Sequence, residues 1–578
     1  MLPAILSISI YWLFLTAVFC GIGLFSAKFF ALDESNGDFF FSIFWLGWSS
    51  TLIILQIWHL VARVTIFCLL SLVIIGVLGI IINIWVGRLR KSFLYDIKYL
   101  WLILFLLLPF LSRSALEPIT NYDSGLYHLP TIKWICSYPI IPGLGNLHGR
   151  LAFNSSYFLY VALLNNGYWV HKSHHLANGL LFLVIFLHIF IKSKDIIFKK
   201  VDIEVADIIG VLFLIPLSFL AIFSCSSPSP DIPIFLLGFV AITYFAKVIY
   251  AGDGRQITAN ALLVVLICGI AITIKANFLF LGLPMILIVL AKLILQPSSV
   301  KENINYKKVI LLIPSLIIII LAPWLIRNII LSGYLVYPST WVSFNVDWRM
   351  PAEQVIQEQL WIKSWARLPL LPPEQVLNNW HWFFPWLKRM VSGRFPLILT
   401  ICPILLGIIA LPILLRRNKF QDERLSNLLS YITFILPSII SIICWFVTAP
   451  EPRFSGASFW YFGAGTMAVA CQRLQPYKCK KLIHLYLLIS LTFILLLSFY
   501  YFLLPKKKRG TSSSVEGYYL IPKIELRTFV TRSGLQVYVP KDGDRCWDAP
   551  LPCTPYPNGN LSLRESGNIS KGFKILKK

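Results

Sequence analysis

The sequence predicts an all-α polytopic membrane protein with about fourteen transmembrane helices, a large outer loop carrying amphipathic helices, and a small exoplasmic tail containing β-structure. Hydrophobic residues make up 57% of the 578 residues and charged residues only 13%, whereas soluble proteins carry about 25% charged residues. Apolar runs long enough to cross about 30 Å of hydrocarbon recur along the chain. An ordinary soluble protein is therefore excluded.

Fourteen apolar runs are the predicted spans. The first run lacks a basic segment before it and a small-residue cleavage site after it, so we expect an uncleaved span. Residues 156–170 are short and interrupted by Asn165 and Asn166, which predicts a helix lying along the membrane surface inside the outer loop. The predicted spans lie near residues 3–24, 40–60, 65–86, 97–112, 176–192, 205–223, 232–250, 258–274, 277–295, 308–330, 396–415, 427–447, 455–472 and 482–504.

Basic residues set the predicted orientation. The net charge of +25 resides in short loops between spans, a pattern that orients membrane proteins and does not indicate nucleic acid as a partner. Five basic clusters are separated by even numbers of spans, so all five can be cytoplasmic. Two segments oppose this assignment: Asp33, Glu34 and Asp38 fall inside, and Lys506–Arg509 falls outside. The clusters are Arg88/Arg90/Lys91/Lys98, Lys192/Lys194/Lys199/Lys200, Lys292/Lys301/Lys307/Lys308, Arg416/Arg417/Lys419/Arg424 and Arg473/Lys478/Lys480/Lys481.

The predicted outer segments are 113–175, 224–231, 331–395, 448–456 and the tail after 504. In that tail, residues 529–540 alternate as a strand, a Ser533-Gly534 turn and a second strand. Cys546 and Cys553 flank a Pro-rich loop, where a disulfide would indicate an oxidising compartment. The domain division is 1–96 for N-terminal additional helices, 97–504 for the membrane core, and 505–578 for the exoplasmic tail, which we interpret as a lid or docking module.

Asp123 is the strongest catalytic candidate, because it opens a long outer loop in a chain where carboxylates are scarce. Asp231 follows the next outer turn, where capping of a helix N-terminus is an equal alternative. Lys275 suits either snorkelling or a phosphate contact. Arg327 and Arg453, beside prolines, suit either phosphate binding or structural pairing. The further substrate-binding candidates are Tyr127, His128, His148, Arg150, Asn154 and Asn328.

The sequence contains weaker indications of a metal site and of sugar binding. His171, His174 and His175 have helical spacing, yet no Cys or carboxylate lies near enough in sequence to complete a structural zinc site. A divalent ion shared by Asp123 and Asp231 is left open, and no other cofactor is indicated. Seven tryptophans between residues 331 and 395 predict a belt at the headgroup level, with one or two available to stack on a sugar ring.

Asp123 with Tyr127 and His128, then Tyr138-Pro139, the run Leu147–Asn154 and the short helix after it, resembles the GT-C glycosyltransferases over about residues 97–460. Within that superfamily the chain is most similar to bacterial aminoarabinose and protein-mannosyl transferases. The resemblance implies that 97–504 is a catalytic core receiving a polyprenyl-phosphate-linked sugar. Two departures are the three additional spans before the acidic loop and the lack of a second acid within it, a role for which Asp231 is the candidate.

The resemblance implies an inverting transfer at the outer face of a bacterial inner membrane, facing the periplasm or exterior. Asp123 would accept the proton of an acceptor hydroxyl on a lipid, glycan or protein, with its pKa raised by partial burial. Arg327, Arg453 and Lys275 would neutralise the leaving phosphate, and membrane lipids would surround the core. The alternatives are an O-antigen-like polysaccharide polymerase or ligase, in which arginines dominate, and a non-enzymatic lipid or glycan transporter.

Overall fold

A computed structural model gives the fold of most of the chain. The structure describes residues 1–30, 32, 38–86, 97–198, 203–250, 254–295, 306–415, 421–474, 476–503, 514–515 and 517–576. Most residues of the five predicted basic clusters, together with Asp33, Glu34 and Lys506–Arg509, lie outside the described residues or in segments whose side chains are not described.

The described chain is predominantly helical. Long and medium helices are Leu2–Ser26, Phe39–Val61, Ile66–Trp85, Ile97–Ala115, Leu129–Ser137, Ser156–Leu164, His174–Phe198, Val205–Leu212, Leu214–Ser224, Asp231–Tyr250, Gly254–Ile274, Leu279–Ile294, Tyr306–Ser332, Ala352–Arg367, Phe383–Ser392, Cys402–Leu415, Gln421–Thr448, Ser458–Gln472 and Pro476–Leu503. Short helical turns are Ala27–Phe30, Ser124–His128, Leu144–Asn146, Gly149–Ala152, Gly167–Trp169, Ala276–Phe278, Pro373–Val376, Arg394–Pro396, Leu397–Ile401, Pro452–Ser455 and Ile569–Lys571.

The helices make this a polytopic membrane protein. Within the described ranges, eleven helices are long and apolar enough to span a membrane, and the bent pair Val205–Leu212 and Leu214–Ser224 raises the number to twelve. Each of the fourteen predicted runs coincides with a helix. Two of them are not among the twelve: Ser458–Gln472 has 15 residues, fewer than a full crossing needs, and within Ile97–Ala115 only the side chains of Ile103–Ala115 are described.

The helix bundle has a buried centre and a lipid-facing rim. Asp231–Tyr250 and Gln256–Ile274 are buried nearly throughout, whereas Tyr477–Phe499 exposes most of its apolar residues. Gly21 on the first helix and Gly76 on the third lie in such close contact that a Cβ on Gly21 would be 2.1 Å from the Gly76 carbonyl oxygen. Small residues permit this close approach of helices, which is a common source of helix association in membranes.

The short helix Ser156–Leu164 lies within the bundle. All nine of its residues are buried. The prediction that residues 156–170 lie along the membrane surface is therefore wrong for this helix, although it is correctly too short to span. A helix that is apolar on every side is stable where it is surrounded by protein, and this one packs between Phe39–Val61 and Leu129–Ser137.

The C-terminal tail consists of short antiparallel strand pairs. The predicted hairpin is confirmed as Leu526–Val530 paired with Gln536–Pro540, with Gly534 at a positive φ of 80° in the turn. The other pairs are Ser514–Val515 with Tyr518–Tyr519 and Leu561–Leu563 with Phe573–Ile575. Cys546 and Cys553 form a disulfide.

The tail packs on the first large loop. The Phe573 N–H donates to the Pro142 carbonyl at 2.9 Å. The Trp547 N–H donates to the Gly125 carbonyl at 2.8 Å, and a Cβ on Gly125 would lie 2.6 Å from the Trp547 ring. Only glycine allows this contact. The tail therefore occupies the same end of the bundle as Asp123, which we call the Asp123 face.

A second charged cluster lies at the opposite end. Asp38 accepts from Lys192 Nζ at 2.8 Å and His188 Nε2 at 3.2 Å, and it also pairs with Lys247. Lys247 follows Asp231 by sixteen residues on one helix, a rise of about 24 Å. Charged groups therefore lie at both ends of the bundle, and the Asp38 carboxylate compensates partly buried cations that attach the N-terminal helices to the core.

Candidate functional site

Asp123 lies in a turn that residues adjacent to it in the chain stabilise. The Asn121 side chain accepts from the Asp123 N–H at 2.9 Å, an arrangement that starts a turn without regular secondary structure. The helical turn Ser124–His128 follows, and Trp547 of the tail binds its backbone at Gly125. Contacts before and after Asp123 in the chain therefore fix the loop that carries its carboxylate, and only 8% of the residue is exposed.

Two arginines contact the Asp123 carboxylate. Arg453 Nη1 lies 2.6 Å from Oδ2, and Arg150 Nη1 lies 3.3 Å from Oδ1. Arg453 belongs to the turn Pro452–Ser455, which follows a long helix, whereas Arg150 belongs to the turn Gly149–Ala152 in the same loop as Asp123. The two guanidinium groups therefore approach the carboxylate from separate parts of the chain.

The cluster extends to three more charged groups. Lys275 pairs with Asp231, whose other oxygen is 3.8 Å from Arg453 Nη1. Arg150 also pairs with Glu358 at 3.3 Å. The three carboxylates and three cations are therefore equal in number. They come from five segments of one face: Asp123 and Arg150 from 113–175, Asp231 from the turn after 224, Lys275 from the turn before 276, Glu358 from 331–395, and Arg453 from 448–456.

The pKa of Asp123 lies below its usual range. Burial acts to raise it, but Arg453, His128 and Arg150 together outweigh burial. The expectation that partial burial raises this pKa towards neutrality is therefore wrong, because the guanidinium groups stabilise the charged form. By contrast, burial raises the pKa of Glu358 although Arg150 opposes the shift. Glu358 is the carboxyl group of the cluster most inclined to take up a proton.

Tyr127 and His128 form an aromatic wall beside Asp123. Burial lowers the pKa of His128 to about 4, so its imidazole is neutral at pH 7, and burial raises the pKa of Tyr127 above its usual value. The two rings pack edge to face with centroids 4.4 Å apart. His128 Nδ1 is 3.3 Å from Ser124 Oγ, which in turn lies 2.9 Å from Ser227 Oγ. Both predicted residues therefore adjoin the cluster as uncharged groups.

Of four further predicted residues, Arg327 and Asn154 make their described polar contacts away from the charged cluster. Arg327, 3% exposed, donates to Asn154 Oδ1 at 3.0 Å and lies 2.7 Å from His59 Nδ1. Asn154 also donates to the Trp324 carbonyl at 2.8 Å. The neighbouring Asn328 is buried, and the His148 ring packs on Tyr556 of the tail with centroids 5.5 Å apart. Arg327 therefore connects the loop to two helices, and its described hydrogen bonds include no contact with the cluster.

The site residues do not fit a divalent cation. The space between the Asp123 and Asp231 carboxylates is bridged by the Arg453 guanidinium, and Lys275 is paired with Asp231. Positive side chains occupy the positions that a cation needs. Among the residues the structure describes, no group of three or more His, Cys, Asp and Glu side chains is arranged to hold a metal ion. His171 pairs instead with Asp548 of the tail at 2.8 Å.

The tryptophan-rich segment divides into two groups. Trp382 and Trp386 are buried in a cluster with Trp445 and Phe459, and Trp348 lies beneath the Arg564 guanidinium at 4.5 Å. The exposed members are Trp341, Trp361, Trp365 and Trp380. For these four, a belt at the headgroup level stays a prediction.

Four contributors were not predicted from the sequence. Glu358 lies on the amphipathic helix Ala352–Arg367, which carries several other polar residues, so nothing local distinguishes it. Ser124 and Ser227 are joined across 103 residues. Trp547 follows Cys546 directly and lies in the loop that the Cys546–Cys553 disulfide closes. Its position next to that cysteine is the one feature of the sequence that could have identified it.

Comparison with known proteins yields a family without an assigned activity. No curated protein and no solved structure matches the chain. One family profile matches residues 5–460, a range that contains every member of the charged cluster and excludes the last helix and the tail. The chain belongs to this family, which is described as a domain of unknown function, DUF8201.

Proposed function

We propose that the protein is a glycosyltransferase of the GT-C type, which transfers a sugar from a polyprenyl-phosphate carrier to a lipid, glycan or protein acceptor. The reaction would take place at the outer face of a bacterial plasma membrane. One observation carries this proposal: Asp123 lies between two guanidinium groups in a mostly buried site, where five loops meet at one end of a helix bundle. A base and phosphate-binding groups are what such a transfer needs.

The roles follow from the geometry. Asp123 accepts the proton of the acceptor hydroxyl as that oxygen attacks the anomeric carbon, and the bond to the carrier phosphate breaks on the opposite side. Arg453 and Arg150 bind the phosphate, since a guanidinium can bind phosphate through two parallel hydrogen bonds. Lys275 orients Asp231, which in turn adjoins Arg453. Arg327 is left out of this set because its contacts lie elsewhere.

Phosphate binding would also change the basicity of Asp123. Carboxylates and cations in the cluster are balanced, and Arg453 holds the pKa of Asp123 low against the effect of burial. A donor phosphate brings an additional negative charge and competes for the same guanidinium groups. The pKa of Asp123 then rises, because its charged form loses part of its stabilisation. The carboxylate becomes a better base only when the donor is bound.

The test is mass spectrometry of surface and lipid-linked glycans from cells that lack the protein. These cells are complemented with wild type, Asp123→Asn, or Asp542→Asn at equal membrane levels. Asp542 is an exposed tail residue and serves as a matched control. We expect one glycan component to disappear without the protein, and to return with wild type and with Asp542→Asn only. Restoration by Asp123→Asn would exclude a catalytic role for Asp123.

A polysaccharide polymerase or ligase is the second candidate. The observation that favours it is the contact of two arginines with a single carboxylate, because that geometry also suits a site in which arginines bind glycan phosphates and Asp123 only orients them. In that case Arg453→Gln and Arg150→Gln abolish glycan formation whereas Asp123→Asn retains it. The same complementation experiment therefore separates the two candidates.

A further inference from the structure

A second cleft lies on the Asp123 face, apart from the charged cluster. It has a volume of about 380 Å³ and is formed by the turn between the second and third helices, the helix Leu129–Ser137, residues 165–174 and the tail. Small-molecule sites in proteins usually measure about 300–1,000 Å³. The cleft is therefore large enough for a lipid headgroup.

The cleft is lined by more basic than acidic side chains. Arg63, Lys133 and His171 line it with a single carboxylate, Asp548. Lys133 Nζ is 3.0 Å and His171 Nδ1 is 2.8 Å from the Asp548 oxygens. No carboxylate of a described residue lies within 4 Å of the Arg63 guanidinium. Because Asp548 is shared by two groups and Arg63 is unneutralised, the cleft attracts an anion.

A buried histidine with an unpaired ring nitrogen also lines this cleft. His174 lines it and is only 2% exposed. Its Nδ1 has no hydrogen-bond partner among the described residues. A buried polar atom usually has a partner, so an unpaired one beside a cleft indicates a ligand position. Asn166 and Ser173 add further polar groups to the lining.

One wall of the cleft is apolar and adjoins exposed apolar residues of the third helix. Leu129 and Ile132 contribute to the lining, and Thr65 lies at the start of the helix Ile66–Trp85. The next residues, Ile66 and Phe67, are 41% and 72% exposed. A cationic pocket beside exposed apolar residues suits an amphiphile whose charged head enters the pocket.

We propose that this cleft binds a phosphate-bearing ligand, with the phosphate between Arg63 and Lys133 and any hydrocarbon chain along the helix Ile66–Trp85. The shared chemistry is an anionic phosphate group, carried either by a membrane lipid or by free phosphate. The proposal does not depend on the transferase activity, because none of its residues belongs to the charged cluster around Asp123.

The experiment measures binding to delipidated full-length protein in a non-ionic detergent by native mass spectrometry. The probes are phosphatidylglycerol, diacylglycerol with the same acyl chains, and inorganic phosphate. The variants are Arg63→Gln and, as the control, Lys172→Gln. Arg63 is exposed, so its replacement leaves the fold intact. Lys172 is a nearby cation that stacks on Tyr168 and Tyr518 and does not line the cleft.

We expect phosphatidylglycerol to bind wild type and Lys172→Gln equally, and Arg63→Gln about tenfold more weakly, the effect of one charge-assisted hydrogen bond. Displacement by inorganic phosphate would identify free phosphate as sufficient, and resistance to displacement would identify the lipid. Equal binding of diacylglycerol would overturn the proposal, as would equal weakening in both variants, because surface charge alone would then explain the binding. Absence of binding by both phosphate-bearing probes would also overturn it.

Discussion

Replacing Asp123 with asparagine should weaken the protein moderately without unfolding it. The substitution removes the carboxylate that Arg453 and Arg150 share. Neither guanidinium group is then stranded, because Arg453 still has Asp231 at 3.8 Å and Arg150 still has Glu358 at 3.3 Å. The remaining carboxylates therefore limit the loss of stability.

The magnitude follows from these contacts. Removing one partner of a buried ion pair usually costs about 3–5 kcal/mol when the other charge is left alone. Here the lost terms are hydrogen bonds to a charged group, worth about 1.5–3 kcal/mol. The Arg453 side chain is 34% exposed, and solvent screens its contribution. We expect Asp123→Asn to lower the free energy of unfolding by about 1.5–3 kcal/mol, and its coupling to Arg453→Gln to be about 1–2 kcal/mol.

The effect also depends on pH in a defined direction. The folded-state pKa of Asp123 is lowered, so its stabilisation is present above the unfolded-state value of about 3.9 and is lost as the pH falls through the folded-state value. The difference between wild type and Asp123→Asn should therefore be constant from about pH 6 to 8 and shrink below about pH 4.

The assay is reversible unfolding in mixed micelles, followed by tryptophan fluorescence for wild type, both single variants and the double variant. A loss much larger than that of one stranded buried charge would mean that the remaining carboxylates do not compensate the arginines. Strictly additive variants would refute the pairing of Asp123 with Arg453. A difference that grows towards acid pH would refute the lowered pKa.

Three other substitutions test separate contacts. Gly125→Ala should destabilise the packing of the tail on the loop by about 1–3 kcal/mol, because the added methyl group overpacks against Trp547. The measurement is the rate of proteolysis of the tail, which should increase. Gly559→Ala is the control: its methyl group meets no atom within 4 Å, so the proteolysis rate should not change. Cys546→Ser should lower the free energy of unfolding by about 2–4 kcal/mol, because it removes the disulfide that closes the tail loop. Reductant should lower the midpoint of thermal unfolding of wild type and leave the midpoint of this variant unchanged. Asp38→Asn should lower the free energy of unfolding by about 3–5 kcal/mol, more than Asp123→Asn, because two partly buried ammonium groups lose a carboxylate that is itself buried. Equal unfolding free energies of the two variants would contradict this ranking.

The site was predictable where local features marked it. Asp123 stood out because few carboxylates occur in this chain, and the parity of the spans assigned it to the same face as Asp231 and Arg453. Arg327 was grouped with Arg453 because both follow prolines near a helix end, a pattern that cannot reveal which partner a side chain reaches. In the fold, Arg327 is buried against His59 and Asn154. Local pattern therefore identified the face of the bundle, and packing selected the members of the cluster.

The fold was predictable for a related reason. Every predicted apolar run is a helix, since hydrocarbon requires each backbone polar group to be satisfied within its own segment. Whether a helix lies at the membrane surface or inside the bundle was less predictable. The apolar sequence of Ser156–Leu164 fits a helix on the membrane surface and equally a helix buried in protein. Packing against the surrounding helices is what buries it completely.

The sequence by itself determined the membrane class, the face on which the acidic loops meet, the tail hairpin and the proximity of Cys546 to Cys553. Each of these depends on composition or on residues close together in the chain. Only the tertiary structure decided that Asp123 pairs with Arg453, 330 residues away, and that the tail covers its loop. Contacts between distant segments depend on how helices pack, and helix packing depends on shape complementarity that no short run of residues encodes.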